Sequence, residues 1–297
     1  MKVELIESVD EFISTTTAFR ATDPLRTNVI GSVALSVAEG DRSYDDYRWW
    51  IVRGDDGDVA GVAMRTSPFN MNVAPMPIEA ARALGHGVGQ FDDTLPGVSG
   101  SKDIVDALIE GYVASKSPGS TRVPAEQRRD LLYELEDLVT PDVEGSGRLA
   151  RNEEVEQLAR MMSEFMREVE LTPISAAEPR DATTRQIQRQ SLYCWEVDGA
   201  IAAIAGHAPV VSTGSIVIGR VGPVYTPPAY RRRGFASAVT AHVTRRLIEV
   251  GARVMLFTDA ANPTSNSIYQ AIGYRLVDEL VEMRFARLRV VRLPRRR

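Results

Sequence analysis

Residues 226–237 read TPPAYRRRGFAS, and the spacing R-x-x-G-x-A runs from Arg231 to Ala236. The segment leads into a helical pattern at 235–250. A helix start presents unpaired N–H groups and the positive end of the backbone dipole. Gly234 lets the backbone come close to an anion, and Arg231, Arg232 and Arg233 add positive field beside it. Together these groups suit a pyrophosphate. The segment lacks the Gly-Lys-Ser/Thr of a Walker A loop and the three-glycine spacing of a dinucleotide fingerprint. Taken alone, it reads equally as surface arginines capping a helix.

A second constellation, DAANPTSNSIYQAIGYR, occupies 259–275. Here a strand ends at Asp259, Asn262-Pro263 turns the chain, and Tyr269 sits on the helix that Gly273-Tyr274 closes. A tyrosine with an ordinary pKa of ~10 keeps its proton at neutral pH and can offer it to a basic leaving group. The structural alternatives are a turn role for Asn262 before proline and a core role for Tyr269 beside Ile268, Ile272 and Tyr274.

The elements that would carry these groups follow from periodicity. Val239, Val243, Leu247 and Val250 recur on one face of a helix, and Gly251 follows in the C-terminal capping position. Val254-Met255-Leu256-Phe257 is continuously apolar, as in a strand covered on both faces. Upstream, the hairpin signals WWIVRGDDGDVAGVAMRTSP (49–68) and YCWEVDGAIAAIAGHAP (193–209) align Gly57 with Gly199 at an offset of 142 residues, with Asp-Gly at each turn. Helices are expected at 8–20, 24–38, 77–88, 101–116, 152–170, 178–190 and 264–272. Strands are expected near 94–98 and at 131–139, 215–225, 253–259 and 275–287. Alternation of strands and helices after antiparallel hairpins implies an α/β chain with mixed sheets. The turn-rich segment 140–147 suggests domains at 1–140 and 141–297.

With these residues in view, the second half resembles the GNAT N-acetyltransferase superfamily. The family loop Q/R-x-x-G-x-G/A matches Arg231 to Ala236. The family signature N-P-x-S/A-x-x-L/I-Y-x-x-x-G-F/Y matches Asn262 to Tyr274. The first half has the same coarse order but MNVAPMPIEAARAL at 71–84 in place of the loop, so it resembles a degenerate lobe of a tandem GNAT protein. The resemblance implies two GNAT-like lobes, with acetyl-CoA as cosubstrate in the second. The backbone of Val224, Tyr225 and Thr226 would pair with the pantetheine arm. Backbone N–H groups of Arg232, Arg233, Gly234, Phe235, Ala236 and Ser237 would hold the pyrophosphate, and the side chains of Arg231, Arg232 and Arg233 would meet phosphates. Asn262 would touch the pantetheine, and Tyr269 would protonate the departing thiolate. Family members often carry a glutamate on the central strand, but SIVIGRVGPVY (215–225) has none. His207, Glu168 and Glu170 are candidate bases. By this reading, 141–297 alone would keep the whole cofactor site.

Composition limits the alternatives. The 297-residue chain suits roughly two domains of about 150 residues, and 44% hydrophobic with 25% charged residues is a globular mixture. Residues 284–297 hold seven arginines and no acid, leaving 28 basic against 40 acidic residues elsewhere. That acidic body argues against nucleic acid as a partner; the basic end reads as a solvated terminus. One cysteine, Cys194, and three scattered histidines speak against a metal site. No apolar run reaches the ~20 residues of a membrane span, and MKVELIESVDEF lacks a signal-peptide core. These point to a cytoplasmic protein without metal or membrane contact, a monomer or homodimer. The leading function is acetyl transfer from acetyl-CoA to a primary amine whose identity stays open: peptide N-terminus, lysine, polyamine, aminoglycoside or small amine. The alternatives are a non-catalytic acyl-CoA sensor and an interaction protein.

Overall fold

The computed structural model of the chain describes residues 1–42, 44–91, 95–116, 122–169, 175 and 177–287. Glu170 and the arginine-rich end beyond residue 287 lie outside the described residues. The chain begins with β1 (Lys2–Ile6), α1 (Val9–Thr22), α2 (Asn28–Ala38), β2 (Tyr47–Arg53), β3 (Val59–Thr66), β4 (Met71–Val73), α3 (Ile78–Phe91), β5 (Gly97–Ser101) and α4 (Lys102–Ala114). It continues through β6 (Arg122–Leu135), β7 (Ser146–Leu149), α5 (Val155–Glu168), α6 (Glu178–Gln188), β8 (Leu192–Val197), β9 (Ala200–His207) and β10 (Val211–Thr213). The last elements are β11 (Ile216–Tyr225), α7 (Phe235–Glu249), β12 (Arg253–Asp259), α8 (Pro263–Ala271) and β13 (Tyr274–Arg287). The architecture is α/β with mixed sheets, as the alternation implied. Strands β1, β4, β7 and β10 have no counterpart in the sequence pattern, because three to five residues are too few to show a period.

Contacts divide the chain into two compact units that are not consecutive halves. One comprises Met1–Phe12, Tyr44–Arg129 and the stretch from Leu280 on; the other comprises Ile13–Ser43 and Asp130–Glu279. A single cut at 140/141 therefore does not separate them. The turn-rich segment 140–147 leads from the β6 end into the first two residues of β7, and its approach is pinned to the end of α8 by Glu136 N–H to the Gly273 carbonyl (3.0 Å) and Val139 N–H to the Ile272 carbonyl (3.1 Å). An intra-unit loop and an inter-domain linker share the same turn composition, so composition alone does not tell them apart.

In the first unit the strands run β1-β2-β3-β4-β5-β13, with β4 parallel to β5 and the other pairs antiparallel. Helices α3 and α4 meet backbone to backbone: a Cβ on Gly85 would lie 1.9 Å from the Leu108 carbonyl oxygen, and one on Gly111 2.0 Å from that of Arg82.

In the second unit the order is β6-β12-β11-β9-β8-β7, with β11 parallel to β12. The β8–β9 hairpin turns on Asp198 (φ +49°) and Gly199 (φ +77°), the two positive angles of the tight turn that Asp-Gly predicts. Val254 and Leu256 pack with Val239, Val243 and Leu247 of α7 on one face. Met255 meets Ile218, Leu132 and Leu25 on the other, so the apolar run of β12 is buried on both sides. Val250, read as the fourth member of the α7 stripe, is instead 62% exposed, because it caps the helix. Gly251 and Ala252 then donate to Ile248 and Leu247, the bond pair of a Schellman end.

Candidate functional site

β11 and β12 pair from Ile218/Arg253 to Val221/Leu256, and the pairing ends there. Beyond that point β11 bulges between Val221 and Val224 and pairs only with β9, through Val224/Ala205 and Tyr225/Ile204. β12 runs on to Asp259 against β6. The two parallel strands therefore open into a wedge, with residues 222–225 on one side and 257–259 on the other. A bulge does this because its extra residue bends one strand away from its neighbour.

At the wide end, Pro227 and Pro228 stop β11 and the chain turns into α7. Arg232 (φ +62°) and Gly234 (φ +81°) hold left-handed conformations. α7 has no side-chain cap, and its first bond runs from Ala238 N–H to the Gly234 carbonyl. The amides of Phe235, Ala236 and Ser237 thus have no acceptor within the helix. A Cβ on Gly234 would sit 2.9 Å from Val143. Phe235 itself is buried with Val239, so it contributes its backbone only.

The three arginines differ. Arg231 donates from Nε to the Thr226 carbonyl at 2.9 Å and from Nη2 to Glu168 Oε1 at 2.5 Å. Arg233 donates to Glu144 at 2.6 Å and lies over the Phe235 ring. Arg232 makes no side-chain hydrogen bond or ion pair among the described residues. It is the free cation of the loop, while its neighbours brace the loop's shape.

On the face of α7 and α8, Tyr269 is 8% exposed and packs edge-on to Tyr274, ring centroids 6.3 Å apart. Tyr274 shares a hydrogen bond with Thr244. The Tyr269 hydroxyl makes none among the described residues, and burial pushes its pKa up to about 12. Asn262 caps α8, accepting from Ser265 N–H at 3.0 Å. At the wedge ends, Thr226 Oγ1 and Asn266 Oδ1 are buried without hydrogen-bond partners among the described residues.

Comparison with known proteins decides the fold. The model of the FR47-like protein family matches residues 215–283, which span β11, the loop, α7, β12, α8 and most of β13. No curated protein was found to be similar in sequence. Among solved structures, a GNAT-family acetyltransferase from Colwellia psychrerythraea matches at 12% identity and TM-score 0.63, covering 96% of this chain and 100% of its own. A GCN5-related N-acetyltransferase from Sphaerobacter thermophilus matches at 15% identity and TM-score 0.57, covering 96% of each chain. A tandem GNAT protein from the clavulanic acid biosynthesis pathway matches at 12% identity and TM-score 0.58, covering 96% of this chain and 98% of its own. The chain has the GNAT fold.

Among the described base candidates, Glu168 is occupied and His207 is set apart from the wedge. Glu168 is the partner of Arg231, and Glu164, one turn earlier, accepts from the Tyr225 hydroxyl at 2.8 Å. His207 pairs with Val221 across β9 and β11, so β11 stands between it and β12. Its Nδ1 donates to the Ala208 carbonyl at 2.8 Å, and burial lowers its pKa, which keeps the ring neutral with Nε2 as the basic atom. Cys194 is fully buried, and burial pushes its thiol up to about 12, far from a nucleophilic thiolate. No cluster of potential metal ligands occurs among the described residues, and no helix among them is long and apolar enough to cross a membrane. The sequence reading had no place for Glu144, Glu164 or Asn266. The i, i+4 spacing of Glu164 and Glu168 was the available signal, since it puts both on one helix face.

Proposed function

We propose that the second GNAT lobe binds acetyl-CoA and transfers its acetyl group to a primary amine. The observation that carries this reading is the wedge that opens at Val221/Leu256 directly before a loop of uncommitted amides. A strand-like arm can add its hydrogen bonds to the edge of β11 at Val224, Tyr225 and Thr226, as a peptide adds to a sheet edge. The amides of 232–237 take the pyrophosphate, and Arg232 is the charge left over for a further phosphate. Arg231, Arg233 and Asn262 act by holding the two loops. The buried unpartnered atoms of Thr226 and Asn266 and the unbonded Tyr269 hydroxyl fit a polar ligand between them.

In the reaction, the acceptor nitrogen adds to the thioester carbonyl and the C–S bond breaks, leaving an amide and a thiolate while the nitrogen loses a proton to water. Tyr269 donates a hydrogen bond to the developing thiolate. Complete proton transfer from a group at about 12 to a thiolate near ~8.5 would run uphill by roughly 5 kcal/mol, so the hydroxyl stabilises charge and solvent delivers the final proton. An acceptor that arrives neutral needs no dedicated base.

The halves 1–140 and 141–297 are the two copies of a duplicated lobe that exchange segments. Features of the first unit support its being degenerate. Pro75 and Pro77 remove amides from the loop before α3, and a Cβ on Gly100 would lie 2.7 Å from Val73, so β4 and β5 stay close where β11 and β12 part. Calorimetric titration with acetyl-CoA, followed by an amine panel with detection of released thiol, tests the proposal. Absence of acetyl-CoA binding would reject it.

A further inference from the structure

The face of the second unit opposite α7 holds a group of buried and half-buried polar side chains that the acetyl-transfer chemistry does not use. Arg220 lies on β11 two residues before Gly222, about 7 Å along the strand from the start of the bulge. The register puts Val221 and Val224 on the α7 face, so Arg220 projects from the other face, as Tyr225 does after the bulge. Its Nε donates to Asn28 Oδ1 and its Nη2 to Ser32 Oγ, each at 3.0 Å. Both partners are neutral, and both belong to α2.

No carboxylate pairs with Arg220 among the described residues. Burial holds its pKa down to about 10, and the charge of Arg42 pushes the same way. Asn28 is 1% exposed, and its Nδ2 donor has no partner among the described residues. The acids at the end of α2, Glu39 and Asp41, are both taken by Arg189.

A cation withdrawn from water without a counter-charge is costly. Arg220, with the unused Asn28 amide donor beside it, is a positive group without a counter-charge among the described residues. Since Arg220 stands at the closed end of the wedge, on the face away from α7, that counter-charge belongs to the molecule that meets the thioester. We infer that the acceptor carries a carboxylate as well as its amine, and that Arg220 binds this carboxylate, with the Asn28 amide beside it. The inference rests on the acetyl-transfer reading for the identity of the ligand. A carboxylate fits better than a phosphate because one planar guanidinium matches two oxygens and no backbone amide array supports it here.

The test compares N-acetylglycine with N-acetylglycinamide, product-like probes that differ only in the carboxylate, titrated against the full chain by thermal unfolding. The acid should bind at least tenfold more tightly than the amide. In Arg220→Met the two should bind equally, and the variant should melt at or above the wild-type temperature; Arg220→Lys should keep part of the discrimination. If Arg220→Met does not fold, Arg220→Gln carries the same comparison. Equal binding of acid and amide to the wild type, or discrimination that survives loss of the arginine, overturns the inference. So does inorganic phosphate binding as tightly as the acid, which marks a general anion site. A parallel CoA titration separates the two readings: CoA binding without discrimination rejects only the carboxylate site, and discrimination without CoA binding rejects only the transfer reading.

Discussion

Arg231 donates to Glu168 at 2.5 Å while its other edge holds the Thr226 carbonyl at 2.9 Å. The arginine that opens the anion-loop motif is thus tied to the last turn of α5 and to the end of β11. The pair makes Glu168 a brace and removes it from the candidates for deprotonating the acceptor. Both side chains are about 40% exposed, and such pairs are worth at most about 1 kcal/mol. Glu168→Gln should therefore shift the KM for acetyl-CoA by no more than about fivefold and leave the shape of the kcat–pH profile unchanged. A hundredfold fall in kcat with loss of the acidic limb would restore Glu168 as the base.

Gly234 sits at φ +81° with Val143 2.9 Å from its missing Cβ. Gly234→Ala should cost about 1–2 kcal/mol of stability, since a side chain is unfavourable in the left-handed region. Gly234→Asp adds a negative charge beside the amides of 235–237 and should abolish the rise in melting temperature on adding acetyl-CoA. Undiminished acetyl-CoA binding by Gly234→Asp shows that the anion lies elsewhere.

The segment exchange changes what truncation does. Residues 141–297 alone lack β6, whose residues 130–134 cover the edge of β12 from Met255 to Asp259, and they lack Leu25, which packs on Met255. This fragment should fail to show a cooperative thermal transition, because a long apolar strand edge is left open. A soluble 141–297 fragment with full acetyl-CoA affinity would contradict that role for β6.

What the sequence displayed and what it hid follow one physical division. The α7 stripe, the Asp198-Gly199 turn and the two-sided burial of β12 are local patterns, and the structure keeps them except for Val250, which leaves the stripe at the helix end. The partner of β12 is non-local: residues 131–139 read as a strand, of which the structure keeps only the part up to Leu135, and nothing in LLYELEDLV says which strand it joins. The arginines at 231–233 look equivalent as letters, and only the positions of Glu168 and Glu144, far away in sequence, divide them into two braces and one free cation. Arg220 sits in an otherwise apolar strand next to glycine, and its meaning depends on α2, which is 192 residues distant from it at Asn28.

Tyr269 offers the sharpest separation of transfer from mere binding. Its hydroxyl is unbonded and its pKa stands at about 12, above the ordinary ~10. A raised folded-state pKa means that the unfolded chain releases this proton first as pH rises. The corresponding stability is whole below about pH 10 and is lost between about 10 and 12, a difference of roughly 2–3 kcal/mol. Tyr269→Phe should flatten that part of the stability curve, measured by denaturant titration at pH 8 and 11. It should also leave acetyl-CoA affinity within about twofold, because the ring packing against Tyr274 remains. If the hydroxyl supports the departing thiolate, kcat should fall tenfold to a hundredfold, the worth of a hydrogen bond to a charged group, with KM for acetyl-CoA unchanged. Since the hydroxyl keeps its proton up to about pH 12, wild-type activity should show no loss from this group below pH 10. Unchanged kcat, measured where chemistry limits the rate, removes Tyr269 from the mechanism and favours an acyl-CoA sensor, in which the same wedge binds without turnover.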